Sequence, residues 1–414
     1  MKRLCLSILI VNFSFLISNA CTNLIVGRAA SVDGSTIVSY SSDDYGAYGH
    51  LFYFPHAKHK AGDTRFLYHY ETNNYLGEIP EVEETYQVIG LVNEHQLTVF
   101  ETTFGGREEL WEGDGLLDYG SLMTVTLQRA KNAREAIKLM SELMNEYGYQ
   151  SEGESFTVAD PNEVWVMDVI GKGKGVKGAV WAAVRIPDDC ISGHANQSRI
   201  REFPQAKKID KKLGFYNVGD SIYYSKDCIT FAREKGYFSG KDSDFSFADA
   251  YNPLDFGGMR GCEARAWSAF NILCDGQFTY IDENGREQTK PAMDYIEYAL
   301  GHDKTKRFPL FVKPSRKISV KDVADGERVY SDDIAHILSA AETSTKGLTP
   351  RQLSILAEIV NGKTNKEIAD VLSISVHTVI THRKNIAAKL DIHSTAGLTI
   401  YAIINNLVRL DDLK

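Results

Sequence analysis

Cys21 stands at the junction of two unlike segments, an apolar stretch before it and a β-type run, Thr22 to Gly27, after it. Lys2 and Arg3 form a basic start. Leu4 to Ile17 is apolar apart from one Asn and several Ser, and Ser18-Asn19-Ala20 puts small residues at the first and third positions before Cys21. These are the three parts of a secretory signal. The apolar run is too short to span a bilayer as a helix, and no later segment reaches that length. Cleavage between Ala20 and Cys21 gives a mature chain that opens on a thiol and a free α-amine carried by one residue. The rival reading, a lipoprotein signal with Cys21 acylated, fits Ser18 and Asn19 poorly, because such sites favour Leu and then a small residue there.

A thiol beside a free amine can be a complete nucleophile–base unit for amide hydrolysis. The amine takes the thiol proton, directly or through water, the thiolate attacks a carbonyl, and the protonated base returns a proton to the leaving amine. This chemistry needs no separate histidine and no cofactor. Among the six cysteines there is no CxxC pair and no Cys/His cluster with zinc spacing, so no metal is expected. Cys190, Cys228, Cys262 and Cys274 can be paired after export or remain buried thiols. His50, His56, His59 and His69 are scattered and read as surface residues.

The length of 414 residues allows two or three domains, and 43% hydrophobic with 24% charged residues is ordinary for a globular protein. Ser35 to Tyr40 reads as a second strand after an Asp33-Gly34 turn. Tyr86 to Leu91 and Leu97 to Phe100 read as a hairpin turning at Asn93-Glu94-His95. Ser121 to Glu146 reads as one amphipathic helix. Phe156 to Ala159, Val164 to Ile170 and Ala179 to Val184 read as strands, and Asp227 to Lys235 and Ala264 to Leu273 as helices. Strand blocks with helices between them imply a layered α+β body. From Leu348 the pattern is wholly helical.

Cys21-Thr22-Asn23-Leu24-Ile25-Val26-Gly27 followed by Asp33-Gly34-Ser35-Thr36 resembles the start of the PepD-like cysteine dipeptidases. Asn93-Glu94-His95, Glu101 to Arg107, Gly153 to Phe156, Ala159 to Trp165 and His194-Ala195-Asn196-Gln197 resemble the same family, in the same order. The resemblance runs from about Cys21 to about Val323. It implies a four-layer αββα sandwich of the N-terminal-nucleophile hydrolases, with short peptides as substrates and Cys21 as nucleophile. By the same resemblance Asp43 orients the amine and Asn196 helps form the oxyanion hole. Arg265 supports the site, and Thr102 or Thr103 supplies a second oxyanion donor. Read without the family, Asp43 is a turn carboxylate, Asn196 a loop or capping residue and Arg265 a helix-surface cation. Two departures stand out. Tyr40 occupies a position where many relatives carry arginine, so the site is expected either to lack one cation or to take it from another residue. The family also continues beyond the Lys321-Asp322-Val323 region, so its C-terminal part is expected to be missing.

Leu348 to Gly362, Asn365 to Leu372, Ser375 to Leu390 and Ser394 to Leu407 read as four helices, the middle pair with helix-turn-helix proportions. Gly347 to Gln352, Thr364 to Ala369 and Val376 to Ile386 resemble the LuxR/GerE-type DNA-binding domain. The resemblance implies that His377, Thr378, Thr381, His382 and Lys384 face the major groove or its phosphates and that Lys366 and Arg383 contact phosphates. It also implies inward packing of Val379, Ile386 and Leu390, with homodimers formed through the fourth helix. Read bare, the segment is a four-helix bundle. Residues 346–414 carry nine Lys/Arg and six Asp/Glu, a net +3 against −12 for the remainder.

The expected organisation is a signal peptide at 1–20, a hydrolase domain at 21–323, a charged junction at 324–345 and a helical domain at 346–414. Export to the periplasm or medium suits the hydrolase, whereas duplex DNA is met in the cytoplasm. The sequence therefore supports an exported cysteine dipeptidase with a DNA-binding tail, a cytoplasmic regulator with an unused signal, or an inactive fusion of the two.

Overall fold

The computed structural model describes residues 21–42, 52–324, 348–360, 363, 365–372 and 374–390. The chain divides into two units, Met1–Tyr330 and Ser331–Lys414. The expected signal at 1–20 and the fourth tail helix lie outside the described residues.

The first unit is a mixed α+β body built on two main sheets. Strands β1 (Thr22–Val26) and β2 (Ile37–Ser41) form the antiparallel pair expected from the sequence. The nine-stranded sheet is centred on β3 (Thr98–Gly105), β4 (Gly153–Ala159), β5 (Val164–Gly171) and β6 (Ala179–Ile186), all antiparallel. In the four-stranded sheet β7 (Ile191–His194) lies between β1 and β8 (Phe311–Val312).

Strands β4 and β5 are buried along their whole length, so both of their faces are covered. Alternation sorts the side chains. Phe156, Val158, Trp165, Met167 and Trp181 join a core with helices α1 (Tyr119–Arg129) and α2 (Ala133–Tyr147). Val164, Val166, Ile170, Val180 and Ala182 join a second core that includes Ile25 of β1. Helix α3 (Ala264–Leu273) contacts β1 and β7. The chain can approach closely where β1 ends because residue 27 is glycine; a Cβ there would lie 2.5 Å from the Asp188 carbonyl oxygen.

The single helix expected over Ser121 to Glu146 is two helices. Ala130 is extended and closes α1, and the Asn132 side chain accepts from Glu135 N to start α2. Glu135 reciprocates by accepting from Lys131 N at 3.0 Å, and Asp160 accepts from Ala133 N at 2.9 Å. This Asn-x-x-Glu capping pattern outweighs an apolar period that runs on across the break.

In the second unit, α4 (Pro350–Val360), α5 (Asn365–Leu372) and α6 (Val376–Leu390) reproduce three of the expected helices. Thr349 Oγ1 accepts from Gln352 N at 3.3 Å while Gln352 Oε1 accepts from Thr349 N at 2.9 Å, a reciprocal cap with Pro350 at the first helical position. Ser375 Oγ accepts from Thr378 N at 3.0 Å and starts α6. Ile355, Leu356, Ile359, Ile368, Val379 and Ile386 form the shared core.

Asn93 anchors the first unit behind the site. Its Nδ2 donates to the Leu127 and Ala130 carbonyls at 2.8 Å each, and its Oδ1 accepts from His95 N and Leu97 N at 3.0 Å each. Asn93→Ala strands these buried groups and should destabilise the first unit by about 3 kcal/mol, read as a lower denaturant midpoint.

Candidate active site

Cys21 is buried at the head of β1, and its Sγ lies 4.0 Å from Ser42 Oγ. Arg265, on the first turn of α3, reaches it from the other side of the sheet. Its Nη1 donates to the Cys21 carbonyl at 2.8 Å and to Thr22 Oγ1 at 3.0 Å. Its Nη2 donates to the Ala195 carbonyl at 3.0 Å and to Asn196 Oδ1 at 2.7 Å, and its Nε to the Gly261 carbonyl at 2.7 Å. A π-helical turn, Gly258–Glu263, leads into α3 and carries Gly261. Arg265 is therefore a buried residue that gathers the site, not the surface cation its helical position alone suggests. Asn196 holds a left-handed backbone, φ 59°, and its Nδ2 donates to the Thr103 carbonyl at 2.6 Å.

These contacts collect on the open edge of β3. The neighbouring strand Val92–Asn93 pairs with β3 only at Thr98. Val99 N donates to the Leu91 carbonyl on that side at 3.3 Å, so by alternation the backbone groups of Glu101 and Thr103 also point to the open edge. Asn23 Nδ2 takes the Glu101 carbonyl at 3.1 Å, and Asn196 takes that of Thr103. Two side-chain amides thus stand in for the missing strand.

Thr102 and Thr103 are brought to the site, but their hydroxyls are engaged. Thr102 Oγ1 lies 2.7 Å from His194 Nδ1, and Thr157 Oγ1 lies 2.7 Å from His194 Nε2. Burial, then the Arg199 cation, push the His194 pKa down to about 3, so the ring is neutral. One ring nitrogen donates, the other accepts, and the imidazole joins β7 to β3 and β4. Thr103 Oγ1 donates to Glu154 Oε1 at 2.9 Å.

Tyr40, where a cation was expected to be missing, is a neutral donor. Its hydroxyl donates to Glu101 Oε1 at 2.7 Å, and its ring stacks on Phe100 with centroids 5.1 Å apart. Glu101 and Glu154 form a buried carboxyl pair that no sequence motif flagged by role. Burial raises both pKa values, and the neighbouring Glu101 adds to the rise at Glu154. Among the described residues, Oε2 of each is buried without a hydrogen-bond partner. Asp43 lies outside the described residues. The described cysteines are all free thiols, and no group of three or more potential metal ligands occurs among the described residues.

In the tail, Lys366, Thr381 and Lys384 are exposed, and Thr378, His382 and Arg383 are partly buried. His377 lies on α6, but its side chain is outside the described residues. Val379 and Ile386 pack inward as expected, and the Leu390 side chain is outside the described residues.

A carboxyl whose pKa is raised by folding keeps its proton in the native state after the unfolded chain has lost it. Stability therefore declines as pH rises from the ordinary carboxylate range toward the raised value. Glu154→Gln keeps an acceptor for Thr103 and removes this dependence. Its thermal midpoint should exceed wild type at pH 8, by roughly 2–4 °C per kcal/mol relieved, and match it near pH 5. Thermal scans at the two pH values check this.

Residues 20–65 and 61–355 match peptidase family C69. Residues 346–402 match the bacterial regulatory proteins of the luxR family. A probable dipeptidase of Salmonella dublin is 26% identical over 340 residues, covering 77% of this chain and 68% of that protein. A probable dipeptidase of Latilactobacillus sakei is 30% identical over 200 residues, covering 44% of this chain and 40% of that protein. At the other end, the transcriptional regulatory protein MctR of Rhizobium johnstonii is 41% identical over 92 residues, covering 22% of this chain and 43% of that protein. With Cys21 at the head of a strand and the helix-turn-helix pair at the far end, the chain belongs to peptidase family C69 and carries a C-terminal luxR-family domain.

Proposed function

We propose that removal of residues 1–20 exposes Cys21 as the nucleophile of an exported cysteine dipeptidase. The observation that carries this reading is the convergence of Arg265, Asn196 and the open edge of β3 on Cys21. The packing of α1 and α2 on one sheet and α3 on the other supports a four-layer N-terminal-nucleophile fold. The hydrolase spans 21–323, a junction 324–345 and the helical domain 346–414.

The new α-amine takes the thiol proton, and Sγ attacks the peptide carbonyl carbon. The oxyanion that forms is met at the β3 edge, with Asn196 and the Thr103 N–H as donors. The amine proton passes to the leaving nitrogen, the C–N bond breaks and a thioester remains on Cys21. Water then attacks the thioester, and the thiol is restored. Arg265 holds the Cys21 carbonyl and Asn196 Oδ1, which fixes nucleophile and donor relative to each other. Asp43 orients the amine. No cofactor enters.

The luxR match and the capped α5–α6 pair support a second activity, duplex DNA binding by a homodimer, with Lys366, Arg383 and Lys384 near phosphates. It requires the chain to remain in the cytoplasm. A chain whose two parts cannot both be placed is the inactive-fusion alternative.

Mass spectrometry of expressed protein should find a chain starting at Cys21; an acylated or uncleaved start in active protein sinks the mechanism. Cys21→Ala should abolish peptide turnover without unfolding the protein, and rapid quenching of wild type should trap the thioester. Asn196→Ala should lower kcat about a hundredfold or more if it stabilises the oxyanion.

For the tail, full-length protein and residues 346–414 should both shift duplex DNA, with affinity falling steeply as salt rises. Lys384→Ala should weaken that binding. Absence of any shift by either form removes the second activity.

A further inference from the structure

Exposed aromatic rings crowd the segment between residues 52 and 75. Phe66 and Tyr68 lie on the strand Thr64–Tyr68, and Tyr75 opens the strand Tyr75–Pro80 that pairs with it. Tyr75 meets Phe66 and Tyr68, with ring centroids 6.1 and 5.7 Å apart. Tyr70 follows the first of these strands and meets Phe52 at 5.8 Å and Tyr119 at 5.3 Å. Its ring stays 43% exposed. Large rings left together in water mark a contact surface.

Tyr70 is fixed in place before any ligand arrives. Its N–H donates at 2.5 Å to the buried Asp118, the carboxylate that also caps α1 by accepting from Ser121 N. Its ring lies against the first turn of α1, where residue 120 is glycine and any Cβ would overlap the ring. Covering a ring already ordered in this way costs little further entropy. Tyr70 also borders the Cys21 site. Its neighbour Tyr119 lines a cleft of about 180 Å³ with His69, Glu71 and Thr103. The Thr103 carbonyl accepts from Asn196, whose Oδ1 accepts from Arg265, and Arg265 holds the Cys21 carbonyl. Burial raises the Tyr70 pKa, and Glu101, Asp118 and Cys21 add to the rise, so the hydroxyl is within electrostatic reach of the thiol.

We propose that Tyr70 is a specificity-determining residue of the Cys21 site, and that its ring, with those of Phe52 and Tyr119, receives a large apolar or aromatic side chain of the peptide substrate. The assignment rests on the dipeptidase reading for its ligand. A carbonyl held at Cys21 leaves the side chains of both flanking residues beside the site, and a ring platform on its border covers one of them. Offset or edge-on contact with the rings, together with the apolar area removed from water, favours such a side chain over a methyl group. The three rings are uncharged, so they discriminate by apolar surface and not by charge.

The test compares kcat/KM of the full-length mature chain for alanyl-alanine, phenylalanyl-alanine and alanyl-phenylalanine. One of the two aromatic peptides should exceed alanyl-alanine by at least about tenfold, a difference of ~1.4 kcal/mol. Tyr70→Ala should bring that ratio down to about one. Tyr70→Phe should keep it, because the ring and not the hydroxyl makes the contact. Gly120→Ala puts a methyl group where the Tyr70 ring lies and should lower the ratio with the ring still present. Thermal midpoints of the variants confirm the fold. A merely structural Tyr70 would lower turnover of all three peptides together and leave the ratio as it was, and that result overturns the proposal. So does a wild-type ratio near one for both aromatic peptides. Calorimetry on the Cys21→Ala chain, which binds without turnover, separates this from the hydrolase reading. Wild type that hydrolyses none of the peptides, while the Cys21→Ala chain prefers an aromatic one and loses the preference on adding Tyr70→Ala, defeats the hydrolase and leaves the ring platform standing. Wild type that hydrolyses all three equally defeats the platform and leaves the hydrolase. Neither turnover nor saturable binding up to about 10 mM, well above ordinary KM values, defeats both.

Discussion

The Arg265 guanidinium joins pieces of chain that lie far apart in sequence: Cys21 and Thr22 at the head of β1, Ala195 and Asn196 after β7, and Gly261 before its own helix. Its five N–H donors sit in a rigid planar fork, and oxygen acceptors meet them on every side. Burying a cation is tolerable only when its donors are satisfied in this way. A lysine has three donors on a flexible stem and cannot span the same acceptors. The positions of Cys21 and Asn196 therefore depend on one planar group, and the left-handed backbone at Asn196 is held in place by contacts at both ends of its side chain.

The second organising feature is the unpaired stretch of β3. An open strand edge in a protein interior leaves backbone groups without partners. Here the exposed carbonyls of Glu101 and Thr103 are met by Asn23 and Asn196. Alternation then divides the strand's side chains between two jobs. Thr102 faces the other sheet and meets the neutral His194, while Thr103 is tied to Glu154 on the helix side. One strand thus links the sheet-to-sheet core, the Cys21 site and the buried carboxyl pair.

The functions proposed for the two halves of the chain make conflicting demands. The proposed N-terminal thiol would follow export, whereas the proposed DNA-binding helix would work where the chromosome is. Each half is locally consistent: the tail has reciprocal caps and its own apolar core, and the first unit has two cores on either side of a sheet buried on both faces. The conflict is between the two proposed functions, not in how either part folds.

Local rules carried much of this structure in the sequence itself. Strands β1, β2, β4, β5 and β6 follow from β-branched runs and turn residues, and the tail helices from their period and caps. Cys21 at the head of a strand was legible for the same reason. The break between α1 and α2 was also written locally, in Asn132 and Glu135, but a continuous apolar period masked it. What the tertiary structure alone decided is which faces meet. Periodicity says that Glu101 and Thr102 point to opposite sides; it does not say that Glu154 waits on one side and His194 on the other. The pairing of Arg265 with Cys21 spans 244 positions of chain, and the Glu101–Glu154 pair depends on the register of β3 against β4. Such contacts are fixed by long-range packing, where no local propensity reaches.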